Sequence, residues 1–105
     1  MNLEKACRLG DVRAIRKLLE TTPELVNEVD GKIGWTPVYR AVICSHVEAT
    51  KTLLEMGADP NIQNKLGETP LHKAVDSGCG RIVRLLLDKG ADVGLASNDG
   101  ETALH

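Results

Sequence analysis

The residues His72, Asp76 and Ser77 are of the three types that form a nucleophilic catalytic triad, and they lie within one short stretch. His72 and Asp76 are four positions apart, so their side chains can touch on a helix. A serine nucleophile also needs a strained turn that presents its hydroxyl and backbone donors that hold the oxyanion. No such turn surrounds Ser77, and the adjoining run SGCG lacks the lysine of a phosphate-binding loop. The sequence therefore indicates no catalytic site, and Asp76 and Ser77 are interpreted as surface residues.

Histidine and cysteine side chains could instead bind a metal ion. A zinc site needs ligands in close pairs, such as CxxC or HxxxH. No such pair occurs among the six candidates, which are His46, His72, His105, Cys7, Cys44 and Cys79. We therefore expect no metal and no cofactor, and packing or helix-start roles for the histidines. Three distant cysteines do not suggest a disulfide framework, so a reducing compartment, the cytosol or the nucleus, is the default expectation.

The composition excludes several classes of protein. The chain has 105 residues, one domain's length, and 42% of them are hydrophobic, which is enough for a core. Its net charge of −2 gives no electrostatic reason to expect nucleic acid or anionic lipid. Arg81, Arg84 and Lys89 lie near Asp88 on one helix, a pattern typical of a solvated face. No apolar run approaches the roughly 20 residues of a membrane span, and we expect neither a span nor a signal peptide.

One phrase returns at a fixed interval along the chain. It reads GWTPVYRAV from Gly34, GETPLHKAV from Gly67 and GETALH from Gly100, and the two intervals are equal. The part of the chain before Asp30 matches less closely, at a slightly longer offset. Self-similarity of this kind indicates a repeat architecture in which each unit packs only on its neighbours.

Each unit has the signals of two short helices. Threonine before proline starts the first helix, because the hydroxyl accepts an unpaired backbone N–H and proline suits the first helical position. Turns at Ser45–His46 and Gly78–Cys79 reverse the chain. The second helix has apolar residues three and four apart, and Gly57 and Gly90 end it. Such helix pairs bury their apolar faces only by stacking, so we predict an all-α solenoid.

The chain resembles the ankyrin repeat in the interval at which this phrase returns and in the motifs TPLH at 69–72 and LLLDKGAD at 85–92. The resemblance implies stacked helix-turn-helix units joined by β-hairpin fingers, within a single domain of residues 1–105. The expected units are repeat 1 at about 1–33, repeat 2 at 34–66, repeat 3 at 67–99 and a partial repeat 4 at 100–105. Repeat 1 departs from the family pattern, since it has Asn2 and Leu3 in place of Thr-Pro, as a modified N-terminal cap would. Tyr39 and Cys79 replace histidines of the motif, and Gly80 stands where a larger residue normally packs.

The resemblance implies a non-catalytic protein–protein interaction module, an adaptor whose partner contacts the fingertips and the exposed face of the first helices. Carried onto this chain, the fingertip positions are Lys32, Ile33, Trp35, Lys65, Leu66, Glu68, Asn98, Asp99 and Glu101. The first-helix positions are Arg8, Leu9, Ile43, Cys44, Asp76 and Ser77. Trp35 is the main candidate anchor, and we expect it to be substantially exposed beside Ile33. The alternative is that Trp35 lies flat against the neighbouring hairpin.

A second reading of the resemblance is a structural segment that caps and spaces a longer ankyrin array whose binding surface lies downstream. We expect the natural chain to continue past His105, because six residues of a fourth unit hold no second helix. Repeat 3 should then expose part of its apolar face and self-associate, with residues 100–105 poorly ordered unless they pack against another chain. Leu104 can cover part of that face. The residues involved are Ile82, Val83, Leu86 and Leu87.

Asn61 is a candidate for modification. The stretch LLEMGADPN resembles the ankyrin segment in which an oxygen-sensing asparaginyl hydroxylase modifies the asparagine after the helix. Asn61 fits that position, Asn27 fits it loosely, and Gly94 removes it from repeat 3. The simpler interpretation is an asparagine that hydrogen-bonds the backbone of its turn.

Overall fold

The computed structural model describes residues 1–103, and the predictions made for Leu104 and His105 lie outside them. Within 1–103 the chain forms six α-helices and one 3-10 helix: α1 (Leu3–Leu9), α2 (Val12–Thr21), η1 (Pro23–Asn27), α3 (Pro37–Ile43), α4 (Val47–Glu55), α5 (Pro70–Ser77) and α6 (Gly80–Asp88). Helices α1, α3 and α5 pack side by side as a first-helix layer, and α2, α4 and α6 form a second-helix layer. This arrangement confirms the predicted all-α solenoid.

The helices of the first-helix layer begin at the residues that the repeated phrase predicts. Thr36 and Thr69 accept the backbone N–H groups of Tyr39 and His72 at 3.2 and 3.5 Å. His72 completes a capping box, because its Nδ1 accepts the N–H of Thr69 at 3.0 Å. Repeat 1, which has no threonine there, uses Asn2, whose side chain accepts a backbone N–H at 2.8 Å. The short Asn2 cap contributes about 1 kcal/mol, and the longer threonine caps contribute less.

Residues with left-handed backbone conformation end these helices and reverse the chain. Gly10 and Gly78 have φ angles of 71° and 74°, and Ser45 adopts the same conformation at 58° without being a glycine. A side chain at Gly10 is also excluded sterically, because a Cβ there would lie 2.7 Å from the His46 ring. A hydrogen bond of 2.9 Å between Nε2 of His46 and the carbonyl of Arg8 holds that ring in place. The chain therefore reverses at the two turns predicted from the sequence.

The core lies between the two layers and consists mainly of leucine, isoleucine, valine and alanine side chains. Ile82 and Leu86 of α6 are fully buried in the described chain, although we expected them to require a following unit. They are buried because α6 packs against both α4 and α5. Leu87 differs, since it is 42% exposed whereas its equivalent Leu54 is 6% exposed. The predicted exposure of the repeat 3 face is thus found at Leu87 and, less strongly, at Val83.

Three fingers (residues 30–35, 63–68 and 96–101) follow the helix pairs of repeats 1, 2 and 3 in turn. The resemblance implied β-hairpins, but the fingers are tight turns, and within residues 1–103 the only bridge of β type joins Ala96 to Thr102. Ala103 is buried against repeat 3. The bridge and this burial attach residues 100–103 to the third unit, and the poor order expected for residues 100–105 stays a prediction.

Candidate functional site

The carboxylate of Asp30 organises the first finger. Its Oδ1 accepts the backbone N–H groups of residues 32–35 at 3.2, 3.1, 2.9 and 3.4 Å. Its Oδ2 accepts Nη2 of Arg40, on α3, at 2.9 Å. These backbone donors, the N–H of Gly34 foremost, lower the pKa of Asp30 below its usual range. Asp30 is not among the site residues predicted from the sequence, although an aspartate followed by glycine is a turn signal that could have indicated it.

The second finger repeats this arrangement with a neutral residue. Asn64 accepts the N–H groups of Leu66 and Glu68 through Oδ1 at 2.9 and 3.0 Å. Gly67 is required in this turn for two reasons. Its φ is 76°, and a Cβ there would lie 2.7 Å from the backbone nitrogen of Asn98 in the third finger.

Backbone hydrogen bonds join the three fingers into one row. The N–H of Lys65 donates to the carbonyl of Ile33 at 2.8 Å, and the N–H of Asn98 donates to the carbonyl of Leu66 at 2.9 Å. The side chain of Gln63 also links the second finger to the third, since its Nε2 donates to the carbonyls of residues 67 and 96 at 2.9 Å each. The resulting finger row (residues 30–35, 63–68 and 96–101) presents Ile33, 39% exposed, and Leu66, 56% exposed.

Trp35 is not the exposed anchor that we predicted. Its ring stacks on Tyr39, with 5.6 Å between centroids and 23° between planes. The guanidinium carbon of Arg40 lies 5.1 Å from the centre of the Trp35 ring. The side chain is therefore partly buried. The alternative prediction also differs, because Trp35 packs on the helix that follows it rather than on the neighbouring hairpin.

Glu68 is also less available than its fingertip position suggests. The hydroxyl of Tyr39 donates to Oε1 of Glu68 at 3.2 Å and links α3 to the second finger. Burial first, and the Glu68 carboxylate second, raise the pKa of Tyr39 well above its usual range. Tyr39 therefore stays neutral and retains the proton that this hydrogen bond needs.

The predicted positions on the first helices differ in exposure. Arg8, Leu9, Asp76 and Ser77 are exposed, whereas Ile43 and Cys44 are only partly so. Arg8 forms a weak ion pair with Glu4 at 3.8 Å, and the hydroxyl of Ser77 donates to a carbonyl of its own helix at 3.2 Å. Leu9 on α1 and Asp76 on α5 are thus exposed side chains of this surface.

The third finger gives the surface an acidic end. Asn98, Asp99 and Glu101 are all exposed, and residues 90–103 contain no lysine or arginine. The carbonyl of Glu101 accepts the N–H of Ser97 at 2.8 Å and pairs with Nε2 of His72 at 3.0 Å. Hydrogen bonds to Ser97 and His72 therefore fix the backbone that carries the carboxylates of Asp99 and Glu101. The other two fingers expose lysines instead, Lys32 and Lys65.

Two of the three residues considered for catalysis, His72 and Ser77, have structural roles in this fold. Both ring nitrogens of His72 bond the backbone of residues 69 and 101, and the Ser77 hydroxyl bonds its own helix. Burial raises the pKa of the Cys7 thiol to about 12, which disfavours its reactive thiolate. Among residues 1–103 there is no group of three histidine, cysteine or carboxylate side chains that could hold a metal ion.

Asn61 links two repeats. Its Nδ2 donates to the carbonyl of Gly90 at 3.0 Å, and its Oδ1 accepts the N–H of Asp92 at 2.7 Å. Asn27 makes the same pair of bonds one unit earlier, to residues 57 and 59, at 3.3 and 2.8 Å. The asparagine does bond a turn backbone, but that turn belongs to the following repeat. Hydroxylation of Asn61 stays a prediction.

Two comparisons with protein families together cover nearly the whole chain. Residues 3–64 match a family described as ankyrin repeats in three copies, and residues 53–105 match one described as ankyrin repeats in many copies. The chain belongs to the ankyrin repeat family. Ankyrin repeats are generally protein-interaction modules without catalytic activity, which agrees with a surface built from fingers and helix faces.

One curated relative of this ankyrin domain is BTB/POZ domain-containing protein 3 of Schizosaccharomyces pombe. The two are 36% identical over 58 residues, which is 55% of this chain and 11% of that protein. The ankyrin domain therefore spans only a small part of the relative's length.

No helix within residues 1–103 has the length and apolar character needed to cross a membrane.

Proposed function

We propose that this ankyrin domain is a non-catalytic adaptor that binds a partner protein through the finger row and the adjoining ends of the first helices. The observation that supports this most directly is the pair Ile33 and Leu66, which are exposed on adjacent fingers joined by backbone hydrogen bonds. Exposed aliphatic side chains on a rigid frame bind with little loss of conformational entropy. The stacking of Trp35 on Tyr39 attaches the first finger of this surface to α3.

Site-specific photo-cross-linking tests this proposal in cells. A benzophenone amino acid in place of Leu66 puts the cross-linker on the finger row, and the same residue in place of Val93 is the matched control. Val93 is 41% exposed and lies outside the row. We expect a discrete cross-linked protein from position 66, absent from position 93 and lost when Ile33→Ser is added. Cross-links of equal yield at both positions, or none at 66, would contradict the proposal.

The second candidate function, favoured by the exposure of Leu87, is a structural unit within a longer ankyrin array whose binding surface lies elsewhere. In that case the cross-linker at position 66 would capture nothing. A consensus ankyrin repeat fused after the chain would raise the unfolding midpoint, and Leu87→Gln would cancel most of the gain.

A further inference from the structure

A groove of about 570 Å³ lies between α4 and α6 in the second-helix layer, away from the finger row. Its floor is formed by Val47 and Leu85, which are partly buried. Gly80 lies at one end, and the exposed rim consists of Glu48, Lys51, Arg81, Arg84 and Asp88. None of these residues belongs to the surface proposed above.

The groove is open because repeat 3 has a glycine at a position where repeats 1 and 2 have a valine. The second helices of repeats 1 and 2 begin with Val12 and Val47, and the equivalent residue in repeat 3 is Gly80. A Cβ built on Gly80 would meet no atom within 4 Å, so the space that a valine would fill is empty. Nothing in the packing of this fold requires glycine at that position.

A second difference keeps the groove from being bridged. Between α2 and α4, Nη2 of Arg16 lies 3.5 Å from Oε1 of Glu55. The equivalent pair between α4 and α6 is Lys51 and Asp88, and within residues 1–103 these two form no ion pair. Aspartate is one methylene shorter than glutamate. Both side chains therefore stand on the rim without closing it.

The charges around the groove are available to a ligand. Lys51, Arg81 and Arg84 form no ion pair with any residue of the described range 1–103. Helices α2, α4 and α6 together carry six basic and four acidic residues, a net charge of +2 in a chain whose total is −2. The second-helix layer is thus positive on a protein that is negative elsewhere, and it attracts acidic partners.

We propose that the groove between α4 and α6 binds an acidic segment of a partner protein, with an aliphatic side chain above Gly80 and carboxylates against Arg81 and Arg84. Val47 and Leu85 form an apolar floor, against which the aliphatic side chain of the ligand is removed from water. Arginine forms bidentate hydrogen bonds with carboxylates. Nucleic acid fits less well, because none of the residues that line the groove is aromatic and could stack on a base.

The test uses fluorescently labelled peptides of defined composition and the full chain. The probe is a peptide of glutamates interrupted by single leucines. Its comparison peptides replace the leucines by serines, or the glutamates by lysines, and a DNA oligonucleotide of equal charge represents nucleic acid. Fluorescence anisotropy gives the affinities. We expect the glutamate–leucine peptide to bind at least about tenfold more tightly than each of the other three.

Substitutions then place the binding in the groove. Gly80→Val restores the residue that repeats 1 and 2 have, so the fold should be retained while the space for the aliphatic side chain is filled. We expect Gly80→Val and Arg84→Glu each to weaken binding by about tenfold or more. Arg13→Glu is the matched control, because Arg13 is an exposed residue of α2 at the position equivalent to Arg81, outside the groove. It should change the affinity by less than about threefold.

Three results would overturn the inference. Equal binding of the leucine and serine peptides would show that only general charge attraction acts. Undiminished binding by Gly80→Val, with circular dichroism showing an intact fold, would place the ligand elsewhere. Tighter binding of the oligonucleotide than of the peptide would assign the surface to nucleic acid. Because Leu66 and Ile33 lie outside the groove, loss of the finger-row proposal would leave this one standing.

Discussion

Removing the Asp30 carboxylate should loosen the first finger and destabilise the fold. Asp30→Ala deletes the acceptor of four backbone N–H groups together with the partner of Arg40. Asp30→Asn is the matched control, since it keeps an Oδ1 acceptor, as Asn64 shows in the second finger. The difference between the two variants isolates the finger's hydrogen bonds from the ion pair.

The magnitude follows from the geometry. The two shortest bonds to Asp30 Oδ1, from Gly34 at 2.9 Å and Ile33 at 3.1 Å, contribute about 1 kcal/mol each. The bonds of 3.2 and 3.4 Å add little. The ion pair with Arg40 adds about 0.5–1 kcal/mol because both side chains are partly accessible to solvent. We expect Asp30→Ala to lower the free energy of unfolding by about 2–3 kcal/mol, and Asp30→Asn by about 1 kcal/mol or less.

Urea unfolding followed by fluorescence measures both losses. Trp35 is the only tryptophan and its backbone N–H donates to Asp30, so its emission reports on the first finger, while circular dichroism reports on all helices. In a repeat protein the two signals can separate. We expect Asp30→Ala to shift the Trp35 signal to lower urea more than it shifts the helical signal.

The same carboxylate makes stability depend on pH. Because the backbone donors lower the pKa of Asp30 in the folded chain, its contribution is fully present above the unfolded value of about 4. It is lost as the pH falls through the lower folded value. Asp30→Asn should therefore remove part of the acid destabilisation seen below about pH 4.

Two results would refute this reasoning. Free energies of unfolding for Asp30→Ala and Asp30→Asn that agree within about 0.5 kcal/mol would show that the backbone bonds to Oδ1 stabilise nothing. An unchanged acid limb in Asp30→Asn would show that the pKa of Asp30 is not lowered in solution.

Three further predictions concern single positions. Ser45→Gly should raise the free energy of unfolding by about 1 kcal/mol in thermal melts, because Ser45 has a φ of 58° that glycine adopts without strain; an equal or lower melting temperature would contradict this. Leu86→Ala should cost about 3 kcal/mol and Leu87→Ala less than about 1 kcal/mol, since only Leu86 is fully buried; equal losses by urea titration would count against the assigned burial. Asn61, if it is a hydroxylase substrate, should gain one oxygen atom in protein purified from cells, and an intact mass without that increment would end the prediction.

The architecture could be predicted from the sequence because its signals are local. Thr36 and Thr69 cap their helices through contacts three residues away, and Gly78 adopts a conformation that depends on its own missing side chain. The fixed period repeats those local signals, so the same helix pair forms in each unit. The predicted non-catalytic interaction surface followed from the family resemblance, not from the local signals.

The state of individual surface residues could not be predicted in this way. Trp35 has the sequence position of a fingertip residue, yet Tyr39 and Arg40 lie one turn further on and pack against its ring. Glu68 is withdrawn by the hydroxyl of Tyr39, which belongs to the preceding repeat. Whether such a side chain is free or engaged depends on which side chain the fold brings opposite it, from the same repeat at Trp35 and from the preceding repeat at Glu68.

Local sequence therefore dictates the helix pairs and their caps, because hydrogen bonds between neighbours in the chain decide these. Which surfaces are open depends instead on tertiary packing. The spacing between stacked helices determines that Arg16 reaches Glu55 while Lys51 and Asp88 stay apart, and that the missing side chain of Gly80 leaves a groove rather than a filled contact. Such differences arise from small changes in distance between residues far apart in sequence, which a repeat pattern does not encode.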